Sequence, residues 1–331
     1  MFRPGLVRFI LATLVVFYHL NRSIFFGYFA VGCFFILSGY WIALMFEKKY
    51  SKKVKTLKVY YISRLWRLLP VFYTFTILGL IVNFHFNSIS FDNLDKHQKV
   101  GAIISNIIIF GYSNLNAKIL VPAWSLDVEM QFYLILPLLA YVIKSNKRLL
   151  YGITLFFFII ALFLIYINHA VLISTSLTYL YLFFIGVIAY HFKISPGIKL
   201  EKISLAILVT IVAIQYSVPS LASYYRDGDS KYYVVLSLVL ILFAIPSLLN
   251  SVHKESNKKD RYLGEMSFLI YLSHWVWFGP YNLLIKGGTK FERIPYALGF
   301  LLVTFLSAYL VYKFIDRPSE ILRHKWINAQ R

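Results

Sequence analysis

The residues best suited to chemistry are ionisable side chains inside long apolar runs. Arg8 and His19 lie 11 residues apart in the first run, and at about 100° per residue this spacing returns to the same helix face. An ionisable side chain costs a few kcal/mol at the centre of a bilayer, so it marks a functional site by default. The His19 imidazole could act as a general base or a nucleophile. The alternatives are that Arg8 anchors the helix at the head groups and His19 is a buried hydrogen-bonding group.

Two arginines mark the inner end of the third run. Arg64 and Arg67 are at positions i and i+3, so a helix presents both on one face. They follow four lysines, Lys52, Lys53, Lys55 and Lys58. Guanidinium groups bind phosphates through charge-assisted, bidentate hydrogen bonds. The pair predicts a site for a nucleotide-like ligand, and the alternative is a basic anchor attracted to anionic lipid.

The fourth run begins with a polar face. Glu129 is four residues from both Ser125 and Tyr133, so a helix carries a hydroxyl, a carboxylate and a phenol together, near the outer side. Trp124 suits the interfacial belt, Ser125 suits a helix cap, and Asp127 suits the first helical turn. Glu129 has no such structural role, so we expect it to belong to a site.

Two later features have open interpretations. His274 follows Tyr271 inside the ninth run and is either a core histidine or a site residue. The sequence Asp316-Arg317-Pro318 follows the tenth run and is most simply a helix terminator and anchor at the inner face.

Positioning these side chains requires helices within a membrane. Of the 331 residues 59% are hydrophobic and only 15% charged, whereas soluble domains are about half apolar and a quarter charged. Runs of about 20 apolar residues predict an all-α integral membrane bundle of ten transmembrane helices. The single cysteine, Cys33, excludes an intrachain disulfide framework. The predicted spans are 6–22, 24–46, 68–86, 124–143, 149–167, 170–190, 203–218, 232–250, 262–285 and 294–315.

The basic excess is explained by topology. Lys and Arg number 34 against 14 Asp and Glu, a net charge of +20. If the 13-residue apolar piece 100–112 does not cross, 25 basic residues lie inside and 9 outside, but if it crosses the split becomes 16 to 18. The positive-inside rule favours the first arrangement. It places both termini and a basic loop over 47–67 in the cytoplasm and an external, partly re-entrant loop over 87–123, and it leaves no role for nucleic acid.

The motifs together resemble the membrane acyltransferase-3 family over essentially the whole chain, in the same order. Single short motifs of this kind are weak, but six in order are specific. They are Arg8-x10-His19, Phe34-Phe-Ile-Leu-Ser38-Gly39-Tyr40, Arg64-x-x-Arg67-Leu-x-Pro70, Trp124-Ser-Leu-x-Val-Glu129-x-Gln-Phe-Tyr133, Leu263-Gly264-x-x-Ser267-x-x-x-Tyr271-Leu-x-His274-Trp275, and Asp316-Arg317-Pro318. Members usually carry an acidic residue before the first-helix arginine and often Val-Asp before the paired phenylalanines. This chain has Leu6-Val7 and Gly32-Cys33 there, a departure we expect to affect acceptor handling or helix packing.

The resemblance implies a single acyltransferase domain over 1–331 that moves an acyl group, usually acetyl, from cytoplasmic acyl-CoA to a carbohydrate hydroxyl across the membrane. His19, Arg8 and Glu129 would be catalytic, and Arg64 and Arg67 would bind acyl-CoA. The residues expected to bind the acceptor or support the site are Trp124, Ser125, Tyr133, Ser38 and His274. No metal or permanently bound cofactor is expected, and acetyl-CoA is a substrate. The expected location is a bacterial inner membrane, where the acceptor would be O-antigen, capsule or another glycan.

One further motif and two alternative functions complete the sequence reading. Some family members append an SGNH hydrolase-like domain whose catalytic block begins Gly-Asp-Ser. The sequence Gly228-Asp229-Ser230 occurs here in a predicted loop of about 13 residues, too short for such a domain, so we expect a turn and no appended domain. The chain could also be a transporter, channel or polysaccharide polymerase without acyl chemistry. Finally, it could be a relay that delivers acyl groups to a separate transferase.

Overall fold

A computed structural model of the chain describes residues 2–21, 24–51, 56–86, 96–115, 118–167, 175–218, 220–221, 231–287, 289 and 291–330. Of the residues that the structure describes, 87% are helical, and no strand occurs among them. The all-α class predicted from composition is therefore confirmed. The turn predicted at Gly228-Asp229-Ser230 lies outside the described residues, as do Lys52, Lys53 and Lys55.

The α-helices are numbered here in chain order. They are α1 (Pro4–Leu20), α2 (Gly27–Met45), α3 (Thr56–Phe86), α4 (Lys96–Ile108), α5 (Trp124–Ser145), α6 (Leu149–Ile167), α7 (Leu180–His191), α8 (Ile198–Ser217), α9 (Lys231–Val252), α10 (Lys258–Leu284), α11 (Arg293–Val311) and α12 (Arg317–Ala329). Five-residue π-helical segments, Phe46–Tyr50 and Tyr312–Asp316, continue α2 and α11.

Six helical segments in the described part of the chain are long and apolar enough to cross a membrane. They are Gly27–Tyr50, Thr56–Phe86, Val121–Ile143, Leu149–Ile167, Tyr232–Val252 and Arg293–Ala329. A helix overlaps every predicted span, but the count of ten membrane crossings and the re-entrant segment stay predictions. Two shorter apolar helices are Pro4–Leu20 and Leu180–His191.

Local structure differs from the sequence prediction at the beginning of α3. Residues 56–67, predicted to lie in a basic loop, form the first three turns of α3. Their lysine and arginine side chains do not prevent a helix, because both are good helix formers. The apolar piece 100–112 lies largely within α4, which is 13 residues long.

The chain forms two compact units, and the first contains Met1–Glu47 and Leu136–Ser267. Its centre is the packing of α2 on α7, where an added Cβ on Gly39 would lie 2.0 Å from the Phe183 carbonyl oxygen. Glycine at this contact lets the two backbones approach closely, as is typical of helices in membranes. The same unit fastens the first turn of α1, because the backbone N–H groups of Gly5 and Leu6 donate to the Asp260 carboxylate at 3.1 and 2.9 Å.

The second unit contains Lys48–Ile135 and Phe268–Arg331. It holds α3, α4, the first half of α5, the second half of α10, and both α11 and α12. In its core Phe72, Phe75 and Phe132 are fully buried. The polar side chains that pair with one another in this unit form the candidate site.

Candidate active site

Arg64 lies in the third turn of α3 and is buried, with 8% of its surface exposed. Its Nη2 donates a hydrogen bond of 2.8 Å to the Tyr50 hydroxyl. The guanidinium carbon lies 5.5 Å from the centre of the Tyr50 ring and 5.8 Å from that of Tyr133. Aromatic faces attract a guanidinium most strongly when water is excluded, so the two rings stabilise a cation that burial would otherwise disfavour.

Tyr133 connects this cation to Glu129. Its hydroxyl donates to Glu129 Oε1 at 2.8 Å, one helical turn away on α5. Tyr133 is buried and Glu129 half-buried, so the hydrogen bond is only partly open to water. The structure thus joins Arg64 to Glu129 through one ring, whereas the sequence predicted them near opposite sides of the membrane. The helix α3 begins at Thr56, so Arg64 lies about 12 Å along it and not before its first turn, as the predicted span from residue 68 had placed it.

Arg67, one turn further along α3, is ion-paired. Its Nη1 lies 2.9 Å from Asp316 Oδ1 and 3.4 Å from Glu320 Oε1. The guanidinium carbon also lies 5.7 Å from the centre of the Phe268 ring. Arg67 and Arg64 are therefore held by different neighbours, one by carboxylates and the other by aromatic rings.

The residues that sequence reasoning missed are mostly on α12. Arg323, only 4% exposed, makes a bidentate pair with Glu320 at 2.6 and 2.9 Å. Its Nη1 donates to the Ser63 hydroxyl at 2.7 Å, and that hydroxyl lies 2.7 Å from the Tyr50 hydroxyl. These contacts connect α12 to Arg64. The sequence spacing could have indicated this cluster. The i, i+4, i+7 pattern of one helix face fits Asp316, Glu320 and Arg323.

The interpretation of Asp316-Arg317-Pro318 as a helix terminator is corrected. The π-helical segment ending at Asp316 continues directly into α12, and Pro318 lies in the first turn of that helix. Proline is tolerated there because first-turn N–H groups have no partner within the helix. Asp316 is buried against Arg67 instead of acting as a surface anchor.

Asp127 fastens the segment before α5. Its fully buried carboxylate accepts hydrogen bonds from the backbone N–H groups of Gly111 (3.1 Å) and Ser113 (2.8 Å) and from the Gln131 side chain (2.9 Å). The φ angle of Gly111 is +77°, a conformation that glycine adopts without strain. Nearby, burial lowers the pKa of Lys118, and the Asp127 charge opposes that shift. Asp127 therefore lies in the first turn of α5, as predicted, and also binds the backbone of the segment that precedes this helix.

Ser125 does not cap the helix as predicted. Its hydroxyl donates to the Pro122 carbonyl oxygen at 3.0 Å and lies 2.9 Å from the Tyr271 hydroxyl. One turn after Tyr271, His274 is fully buried, with Nδ1 3.3 Å from the Ile270 carbonyl oxygen. Ser125 is thus linked to α10, while Glu129 is linked to Tyr133.

The remaining predicted residues are placed as follows. Arg8 and His19 are both half-buried on α1 in the first unit, and Ser38 is buried on α2. The ring centres of His19 and Tyr18 are 5.0 Å apart. Trp124 is half-buried at the beginning of α5 in the second unit. Within the described residues, no group of three or more His, Cys, Asp or Glu side chains could hold a metal ion.

Comparisons with known proteins identify the family of the chain. The chain matches the model Acyl_transf_3, described as an acyltransferase domain, over residues 4–313. It is 25% identical to the Staphylococcus aureus (strain MSSA476) protein named "Putative O-acetyltransferase SAS0844", over 96% of this chain and 57% of that protein. An uncharacterized Haemophilus influenzae protein is 33% identical over 39% of this chain and 57% of its own length. The chain thus spans 57% of the length of these relatives. No solved structure is significantly similar to it.

Proposed function

This chain belongs to the acyltransferase family of that model, and we propose that it is a membrane O-acyltransferase that acetylates a carbohydrate hydroxyl with acetyl-CoA. In the reaction the acyl–sulfur bond of the thioester breaks and an acyl–oxygen bond forms. The hydroxyl proton ends on the coenzyme A sulfur. The observation that carries the proposal for the site is the contact chain from Arg64 through Tyr133 to Glu129.

His19 is the group that we propose to accept the hydroxyl proton or to carry the acyl group briefly. The imidazole is the side chain whose ordinary pKa range suits proton transfer near neutral pH. Arg8, on the same helix face, would bind a phosphate or the pantetheine arm, or fix a water chain to His19. Glu129 would orient the sugar, and Tyr133 holds its carboxylate in one direction.

Arg64 and Arg67 are the proposed donor-binding pair. Arg67 is already paired with two carboxylates, so a donor phosphate must share or replace them. Arg64 keeps its charge in a buried aromatic environment, where electrostatic interactions are stronger than in water. This contrast predicts that the two arginines contribute differently to donor affinity.

The acceptor side of the proposal rests on the residues around the beginning of α5. Trp124, Ser125 and Tyr133, together with Ser38 and His274, would bind the acceptor or support the site. The acceptor would be a cell-surface or exported glycan such as O-antigen or capsule. The protein would lie in the bacterial inner membrane with both termini in the cytoplasm, so that acyl-CoA and glycan approach from opposite sides.

The test of the chemistry is His19→Gln. Glutamine keeps hydrogen-bonding capacity but cannot act as a base or an acyl carrier, and base catalysis contributes typically about 10²- to 10⁴-fold in rate. We expect a variant that inserts and binds acetyl-CoA but leaves the glycan unacetylated, as measured by mass spectrometry of cell glycans. His85→Gln, at the exposed end of α3, is the control. Normal acetylation in the His19→Gln strain would exclude His19, and His274 would become the base to test.

The test of the donor site is the double variant Arg64→Lys, Arg67→Lys. It keeps both charges but removes the planar guanidinium groups. We expect weaker acetyl-CoA binding by the purified protein, whereas Arg317→Lys, at an exposed position in the same unit, should bind normally. Unchanged binding by the double variant would exclude the two arginines from the donor site and leave them with structural contacts only, to Tyr50 and Tyr133 for Arg64 and to Asp316 and Glu320 for Arg67.

A further inference from the structure

A groove of about 620 Å³ lies between α3 and α4, apart from the candidate active site. Its wall from α3 includes Thr76 and Leu80, and its wall from α4 includes Lys99, Ala102 and Ile103. The volume is within the range of ligand pockets. Most of the lining side chains are apolar, so an occupant must present mainly hydrocarbon to this surface.

Two buried polar atoms in the lining have no hydrogen-bond partner among the described residues. Thr76, only 6% exposed, leaves Oγ1 without a partner. Asn106 donates through Nδ2 to the Ala102 carbonyl oxygen at 2.8 Å, but its Oδ1 accepts nothing. An unmade hydrogen bond at a buried polar group costs about 1–3 kcal/mol. Both atoms have almost no accessible surface, so ester oxygens and hydroxyl groups of an occupant would satisfy them after the Thr76 and Asn106 side chains rotate towards the groove.

The charge of α4 points to an anionic occupant. Lys96 and Lys99 are exposed in its first turn, and no acidic residue lies there. The positive end of the helix dipole disfavours cations at this position, so an anion bound beside them would remove an unfavourable interaction. Lys99 also lines the groove, so the anionic group and the apolar body can belong to one molecule.

Exposed isoleucines on α4 line the groove and continue beside it. Ile103, Ile104, Ile107 and Ile108 are exposed isoleucines on this short helix. A contiguous apolar surface of this kind suits contact with lipid hydrocarbon. The groove therefore opens to a place where a lipid can enter it.

We propose that this groove binds one anionic phospholipid whose head group carries hydroxyls, such as phosphatidylglycerol. Its phosphate pairs with Lys99, its ester and hydroxyl oxygens bond to Thr76 and Asn106, and its hydrocarbon lies against Leu80 and Ile103. The lipid fills the space between α3 and α4 and thereby stabilises the segment that Asp127 fastens to α5.

The experiment measures lipid retention by the purified full-length protein. Native mass spectrometry after exchange into detergent, followed by addition of phosphatidylglycerol or the zwitterionic phosphatidylethanolamine, reports which lipid stays bound. We expect Ala102→Phe, which fills the groove, to lose phosphatidylglycerol retention at least about tenfold. Ile104→Phe adds the same ring on the same helix, outside the lining, and should retain lipid like the wild type.

Two further variants keep the test decisive if Ala102→Phe fails to fold. Lys99→Gln should lose the preference for anionic over zwitterionic lipid, by about fivefold for one exposed charge pair. Thr76→Val, nearly the same shape, should weaken retention of both lipids. Equal retention by all variants, no preference for the anionic lipid in the wild type, or retention of a lipid-linked glycan in place of phospholipid would each overturn the proposal. None of these readouts depends on acyl transfer.

Discussion

Replacing Tyr133 with Phe removes one hydroxyl group from the candidate site and keeps the ring. That hydroxyl donates to Glu129 at 2.8 Å, while the ring centre lies 5.8 Å from the Arg64 guanidinium carbon. Phenylalanine therefore preserves the aromatic neighbour of Arg64 but leaves Glu129 without the donor that orients it. The substitution therefore tests the orientation of the Glu129 carboxylate without changing the packing of the Arg64 guanidinium.

The magnitude follows from the kind of hydrogen bond that is lost. A hydrogen bond to a charged group contributes about 1.5–3 kcal/mol. If it persists in the transition state, its loss slows the reaction about 10- to 150-fold. We expect kcat/KM of Tyr133→Phe to fall within this range while acetyl-CoA affinity stays unchanged. Tyr133→Leu, which removes the ring as well, should weaken acetyl-CoA binding in addition.

The assay is the initial rate of ester formation by purified protein in vesicles, with acetyl-CoA affinity measured separately. In a double-mutant cycle, Tyr133→Phe should cost less than about threefold in a Glu129→Gln background, because the two residues act through one hydrogen bond. Tyr61→Phe is the matched control, since its hydroxyl makes a longer bond of 3.3 Å to a backbone oxygen at an exposed position. A wild-type rate for Tyr133→Phe, or fully additive losses in the cycle, would refute the reasoning.

Three other substitutions test packing and electrostatics. Asp127→Asn should lower the free energy of unfolding by about 2–3 kcal/mol, because an amide nitrogen would face a backbone N–H. An unchanged unfolding midpoint in detergent would mean that Asp127 does not stabilise the segment before α5. Gly39→Ala should destabilise the protein by at least about 1–3 kcal/mol through the added Cβ, whereas Gly152→Ala, with open space around it, should be neutral or stabilising in the same measurement. Asp316→Asn should tighten acetyl-CoA binding about fivefold by releasing Arg67 from a competing carboxylate; weaker binding in calorimetry would mean that Asp316 positions Arg67 instead.

Part of the candidate site was predictable because it lies within one helix. Glu129 and Tyr133 are four residues apart, and helix geometry brings such side chains together whatever surrounds them. The same spacing puts Ser125 on the face of Glu129, but the Ser125 hydroxyl donates to the Pro122 carbonyl oxygen and lies 2.9 Å from the Tyr271 hydroxyl on another helix. Spacing predicts which side chains can meet, but competition from other elements decides which hydrogen bonds form.

The sequence by itself determined the kind of protein. Apolar runs about as long as a bilayer is thick form helices, because hydrocarbon offers no hydrogen-bond partners to the backbone N–H and C=O groups. The ordered motifs indicated the family that the comparisons confirm. Only the tertiary structure decided what the arginines contact. Arg67 pairs with Asp316 across 249 positions of sequence, and Arg323 reaches Ser63 across 260. No helical period relates residues so far apart, so their pairing depends on how α12 packs against α3.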